Sequence, residues 1–230
     1  CTAAAMSESE FDALCAEQAR TGLPCIGFNA YSAGIPAIIG HNVSDSATAS
    51  YAELLCRRGK RLGISALGIG SPNARRLPAD MDKSDADAQF MRIAAGAAKD
   101  HGMCVLVEAV HSGMCNYLNG TLDAAEITRL IGLDNVGMVL DFYHMAEMGE
   151  DYSLAAAAAP YLRHVHFSTS GSGLWRGFPQ KADFDEYRGI FAILKSIGYD
   201  GTVSIEPSEF EPEQASSCLE LLKRLEAEIK

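Results

Sequence analysis

Short apolar runs of strand length alternate with longer stretches of helical spacing along the whole chain. Six runs read as strands, at about 25–28, 65–69, 103–109, 136–141, 163–167 and 202–206, most of them rich in β-branched residues. The stretches between them carry helical signals. Ser7-Glu8-Ser9-Glu10 has the capping-box pattern, with Phe11, Leu14, Cys15 and Ala19 following at helical spacing up to a stop at Gly22. A helix over 47–62 places Tyr51, Leu54, Leu55 and Arg58 on one face, and one over 85–100 turns Phe90, Ile93, Ala94 and Ala97 inward. Thr121 is placed to cap a helix that reaches Ile131. The Ala-rich stretch 153–159 is stopped by Pro160. A helix opening at Asp183 aligns Phe184, Tyr187, Phe191 and Leu194, and 211–229 forms the closing helix.

Strand–helix alternation favours parallel pairing through right-handed crossovers. The expected fold is therefore α/β, a TIM (β/α)8-type barrel, as a single domain over residues 1–230. A full barrel needs eight strands and about 250 residues. Only six runs qualify, and the leading helix has no strand before it unless Cys1 to Met6 supplies one. The first one or two β/α units are expected to be missing from this chain. No repeat, linker or shift in composition marks a second domain.

Hydrophobic residues make up 48% and charged residues 21%, a globular balance. The formal charge of −11 argues against nucleic acid, whose phosphates are bound through Lys and Arg. It leaves a small polar ligand open. The seven cysteines form no CxxC pair, and several lie inside apolar runs, as reduced buried thiols do. That favours a cytoplasmic location. No apolar run approaches the ~18 residues of a membrane span, and Cys1 to Met6 lacks the features of a signal peptide.

The chemistry concentrates at strand ends. Val105-Leu-Val-Glu108, Val136-Gly-Met-Val-Leu-Asp141, His164-Val-His166 and Thr202-Val-Ser-Ile-Glu206 each deliver a carboxylate or imidazole at the C-terminal end of a strand. In a parallel barrel those ends share one rim. A single Glu after a strand is as often a solvated loop residue or a cap as a ligand. Four in succession, with no strand skipped, make coincidence the weaker account. Glu108, Asp141, His166 and Glu206 together suit one hard-to-borderline divalent ion: Mn²⁺ or Mg²⁺ first, with Zn²⁺ or Co²⁺ as alternatives.

Other polar residues flank that rim. His144 lies three residues after Asp141, within reach of a substrate oxygen. His111 follows Glu108 closely, and either lines the pocket or lies on the loop surface. His164 shares a strand face with His166 and reads best as a satisfied core histidine below the metal. His41 and His101 read as loop and helix-end residues. Arg176 either stabilises a developing enolate oxygen or is a solvated loop charge. Trp175 either walls the pocket or packs on the barrel rim. Gly68-Ile-Gly70-Ser71 lacks the GxGxxG spacing of a phosphate-binding turn and carries little weight.

Taken together, these marks resemble the xylose isomerase-like TIM-barrel superfamily, in its branch of sugar epimerases and hydroxypyruvate isomerase-like enzymes. The resemblance is carried by Val107-Glu108 with Tyr117-Leu-Asn119, Gly137-Met-Val-Leu-Asp141-Phe-Tyr-His144, His164-Val-His166, Phe184 to Phe191, Ile197-Gly-Tyr-Asp-Gly201 and Ser204-Ile-Glu206. Leu67-Gly-Ile-Gly-Ser71 with Arg75 or Arg76 and Pro78 is similar to the loop after the family's fourth strand. The resemblance begins at the family's second helix. It implies one divalent cation held by Glu108, Asp141, His166 and Glu206, with Glu108 and Glu206 also acting as the acid/base pair. It implies that His144 and Arg176 hold substrate oxygens. The implied reaction is isomerisation or epimerisation of a small sugar or hydroxy-carbonyl compound by proton transfer through a metal-stabilised enediolate.

Three departures from the family pattern reshape the pocket while leaving the quartet intact. Met114 stands where sugar epimerases tend to have a second Glu. Phe167-Ser-Thr-Ser170 follows the metal His without an acidic residue. Ser172 stands at the usual place of the Arg, with Arg176 four residues further on. An inosose dehydratase-like lyase is the alternative reaction within the superfamily. An AP endonuclease is disfavoured, because no His follows the strand ending at Gly70 and no Asp-x-His triplet follows His166. A non-catalytic truncated-barrel subunit is the remaining alternative. Open edges of such a barrel would suit coverage by a second protomer, so a homo-oligomer is a further expectation.

Overall fold

The computed structural model describes residues 2–35, 37–98, 102–169 and 176–228. Within them the expected alternation forms one parallel sheet of six strands in strict sequence order. The strands are β1 (Gly27–Phe28), β2 (Ala66–Ile69), β3 (Cys104–Glu108), β4 (Val136–Asp141), β5 (Leu162–Phe167) and β6 (Thr202–Ile205). This is a TIM-barrel-like arc with six of the eight strands of a closed barrel. Among the described residues no strand precedes the first long helix, and Thr2–Ala5 is itself a short helix, α1.

Helices cover the outer face. They are α2 (Glu8–Thr21), α3 (Asp45–Arg61), α4 (Lys83–Ala98), α5 (Thr121–Ile131), α6 (Phe142–Glu147), α7 (Ala155–Ala158), α8 (Phe184–Ser196) and α9 (Pro212–Glu228). The Ser7–Glu10 capping box forms, and Gly22 ends α2 at φ +66°, a conformation that favours glycine. The last two residues expected in the 85–100 helix, and Ile229 of the closing helix, lie outside the described residues. So do Trp175, His101, Ser170 and Ser172.

One local expectation is corrected. Thr121 is the first residue of α5 rather than its cap, and Gly120 holds the capping position. The Glu150 carboxylate accepts from the Thr121 N–H (3.0 Å) and hydroxyl (2.8 Å), so a distant carboxylate does the capping. Directly after β4 the chain turns into α6, an element for which the sequence reading had no expectation. Asp141 opens that helix by accepting from the Tyr143 N–H at 2.9 Å.

Alternation sorts the strand side chains. Val105, Val107, Met138, Leu140, Val165 and Phe167 point outward and are almost fully buried beneath the helices. Gly68, Leu106, Val139, His164, His166, Ser204 and Glu206 line a cavity of about 480 Å³ on the inner side. Among the described residues β1 and β6 are not paired with each other, and the cavity is lined from both of these edge strands. The described cysteines are all free. No described helix is long and apolar enough to cross a membrane.

Candidate metal centre

Strand register places the four expected ligands together. Glu108 lies opposite Val139, and Asp141 stands two residues further along β4. Asp141 lies opposite His166, which lies opposite Ser204, with Glu206 two residues beyond. Steps of two keep side chains on the inner face while the stagger of a barrel advances. A register shift between Met138 and Val139 brings Val139 opposite His164 and Asp141 opposite His166. Each of the four residues offers one ligand atom, and these atoms lie within 4.8 Å of one another. Glu108, Asp141 and His166 are buried, whereas the Glu206 side chain is 32% exposed and faces the cavity. Three carboxylates and one imidazole make a donor set suited to a divalent ion that prefers oxygen ligands.

Two of the carboxylates are fastened by one oxygen and turned inward by the other. Asp141 Oδ1 takes the Tyr143 N–H, leaving Oδ2 inward. Glu206 Oε1 accepts from Asn29 Nδ2, leaving Oε2 at 3.3 Å from His166 Nδ1. Glu108 places Oε1 2.9 Å from His166 Nδ1, and its Oε2 packs over the Cα of Gly70. A Cβ at Gly70 would overlap that oxygen and lie 3.0 Å from the Glu108 carboxyl carbon. Gly68 serves the same purpose one step down the strand, where a Cβ would come within 2.5 Å of the Asn29 carbonyl oxygen. The Gly-x-Gly of β2 is therefore a packing device for Glu108 and Asn29 rather than a phosphate turn. Gly70→Ala is expected to rotate Glu108 out of the cluster. Overpacking of this kind costs about 1–3 kcal/mol of stability, and Mn²⁺ affinity should fall about 10–100-fold by analogy with loss of a ligand's support. Thermal melts and Mn²⁺ titration of the variant check both.

Arg176 is buried at this centre, so the solvated alternative does not hold. Its Nη2 donates to Asp141 Oδ2 at 2.6 Å and contacts His144 Nε2 at 2.7 Å, and its Nη1 pairs with Glu206 Oε2. Its backbone N–H is held by Ser208 Oγ (3.1 Å), and the neighbouring Gly177 bridges to Thr169. The guanidinium also lies over the Tyr143 ring, 4.8 Å from its centroid. His144 is buried, and His111 adjoins it, with ring centres 5.3 Å apart. His164 lines the cavity below His166 and shares a hydrogen bond with Thr202 Oγ1 at 2.7 Å. His41 is an exposed loop residue facing Asp80.

Three contributors escaped the sequence reading. Asn29 and Gly70 are two of them. The third is Arg75, whose side chain is fully buried and whose Nη1 donates to the Glu108 backbone carbonyl at 2.7 Å. Its Nε and Nη2 have no hydrogen-bond partner among the described residues. The sequence showed Gly68 and Gly70 two apart and Arg75 in the loop that follows, but nothing in it tied them to Glu108.

Charge within the centre is strongly coupled. Burial pushes the Glu108 carboxyl up, but His166 beside it pulls it down further, to about 2. Burial disfavours the His166 cation, yet Glu108 and then Glu206 raise its pKa to about 9. Burial raises Glu206, only partly opposed by His166. Burial lowers His144 to about 4, which leaves its ring neutral at pH 7. A metal needs the lone pair of His166, so binding must expel that proton below pH 9. Mn²⁺ affinity should therefore rise about tenfold per pH unit from 6.5 to 8.5 and flatten above about 9. Calorimetric titration across that range reads the slope.

The sequence matches the xylose isomerase-like TIM barrel family over residues 2–225. The chain belongs to that family. Among curated members, an inosose isomerase of Halalkalibacterium halodurans is 32% identical over 127 residues, covering 50% of this chain and 43% of that protein. A ketose 3-epimerase of Arthrobacter globiformis is 36% identical over 114 residues, covering 49% of this chain and 37% of that one. The matches thus span less than half the length of either relative. In structure, a D-psicose 3-epimerase crystallised with D-fructose superimposes with a TM-score of 0.74 at 18% identity. That alignment covers 98% of this chain and 82% of the other, and it shows a shared fold.

Proposed function

We propose that this chain acts as a divalent-metal-dependent isomerase or epimerase of a small sugar or hydroxy-carbonyl compound. The observation that carries this reading is the convergence of Glu108, Asp141, His166 and Glu206 within 4.8 Å in a member of the xylose isomerase-like family. The names of the relatives, an inosose isomerase and a ketose 3-epimerase, support a polyhydroxylated carbonyl substrate.

The four residues would hold one ion, Mn²⁺ or Mg²⁺ by the oxygen-rich donor set, with Zn²⁺ or Co²⁺ next. Such an ion supplies the Lewis acidity that makes a proton α to a carbonyl removable. Glu206 is the ligand carboxylate partly exposed to the cavity, so it is the one a substrate reaches first. Glu206 and Glu108, across the cluster, form the acid/base pair: one takes the proton from the substrate carbon, and the other, charged beforehand with a proton from solvent, returns one to the substrate. Arg176 and His144 lie 2.7 Å apart beside this pair, placed to hold substrate oxygens. His111 extends that wall.

Incubating the protein with Mn²⁺ and a panel of ketoses and inososes tests the reading by chromatography and mass spectrometry. The expected product is isomeric with its substrate and forms only with metal. A product lighter by one water would instead assign a dehydratase-like lyase. No conversion anywhere in the panel would contradict catalysis of this class.

A further inference from the structure

The guanidinium of Arg176 stands where a bound cation would draw its ligands. Asp141 and Glu206 each have one oxygen committed elsewhere, to the Tyr143 N–H and to Asn29 Nδ2. Only Asp141 Oδ2 and Glu206 Oε2 remain turned to the centre. Arg176 takes both: Nη2 reaches Asp141 Oδ2 at 2.6 Å and Nη1 pairs with Glu206 Oε2. Three carboxylates packed around one point repel one another unless a cation sits among them. The planar fork of an Arg matches two carboxylate oxygens, as a bridging ion would.

We infer that Arg176 is a tethered competitor for the cation site, its guanidinium and a divalent ion taking Asp141 Oδ2 and Glu206 Oε2 in turn. The inference rests on reading this centre as a metal site. The exchange needs only side-chain movement. The Arg176 backbone is pinned to Ser208 through its N–H (3.1 Å) and its carbonyl (2.9 Å), and Gly177 pairs with Thr169. In the same position the head group also has partners that are not carboxylates. His144 Nε2 lies 2.7 Å from Nη2, and the Tyr143 ring lies 4.8 Å from Cζ. Metal loading therefore releases the guanidinium from the carboxylates toward the side where substrate oxygens would lie. Without metal the guanidinium keeps the carboxylates gathered, and metal affinity is held below what the four ligands alone would give.

Removing Arg176 should consequently strengthen metal binding. Mn²⁺ titration by calorimetry or electron spin resonance, at fixed pH, is expected to show Arg176→Met binding at least tenfold more tightly than wild type. Arg176→Lys, which keeps the charge but loses the fork, should fall between them. In Arg176→Ala, free guanidinium ion at millimolar concentration should weaken Mn²⁺ binding more than NaCl of equal ionic strength, while wild type shows no such difference. Circular dichroism of each variant establishes that it is folded. Equal or weaker binding by Arg176→Met, Arg176→Lys indistinguishable from wild type, or no effect of guanidinium on Arg176→Ala would overturn the inference. Failure of wild type and all variants alike to bind Mn²⁺ would instead overturn the metal-site reading on which it rests.

Discussion

Asp141→Asn should strip the protein of its divalent ion. The Asp141 side chain is 0% exposed, and its two oxygens have separate duties. Oδ1 opens α6 by accepting the Tyr143 N–H, and Oδ2 faces the cluster. Asparagine has the same shape, and its carbonyl can still cap the helix. That leaves an amide NH₂, a donor with no lone pair to offer, turned toward the ion. The substitution therefore removes a charged ligand without opening a cavity. An expected loss of affinity on the order of 100-fold or more follows, since even loss of a residue that merely supports a ligand costs about 10–100-fold. The metal-free protein should also become less stable. Arg176 is buried and loses one of its two carboxylates, and leaving a buried charge short of a partner costs about 1–3 kcal/mol or more. Elemental analysis of protein purified without chelator, with melting curves in EDTA, reads both effects. Metal content equal to that of wild type would remove Asp141 from the ligand set.

Glu206→Gln should abolish proton exchange at the substrate carbon while leaving the fold intact. Glu206 is the one ligand carboxylate exposed to the cavity, and burial raises its affinity for a proton while His166 opposes. Glu108 is held at about 2 by His166 despite its burial. Glutamine can still accept from Asn29 through its amide oxygen, so the strand end stays in place, but it cannot carry a proton. Loss of a positioned general base costs about 10²–10⁴ in rate. Exchange of a ketose α-proton with solvent deuterium, followed by NMR, should drop by that factor. Exchange at the wild-type rate would reject Glu206 as the acid/base residue.

The ligand quartet could be read from the chain because strands repeat with period two and parallel pairing gathers their ends. Glu108, Asp141, His166 and Glu206 each announce themselves at the end of an apolar run, so local pattern and global topology agree. What supports them could not be read so. Asn29 meets Glu206 across 177 positions of sequence, and Arg75 reaches the Glu108 carbonyl across 33. Gly70 matters because of a carboxylate on the neighbouring strand, and nothing local to β2 announces that. The Glu150 cap on Thr121 escaped for the same reason. Each depends on a partner brought near by folding. Arg176 shows the reverse case. The sequence left it open between a substrate-holding and a solvated residue, and it stands at the centre beside the Thr169–Gly177 bridge.

The most direct test is solvent deuterium incorporation by the wild-type protein itself. With Mn²⁺ in D₂O, at least one ketose or inosose should gain a single deuterium at the carbon beside its carbonyl. Incorporation should stop in EDTA and return when Mn²⁺ is restored. Incorporation that persists undiminished in EDTA, or none in the presence of bound Mn²⁺ across the panel, would contradict metal-dependent proton transfer at Glu108 and Glu206.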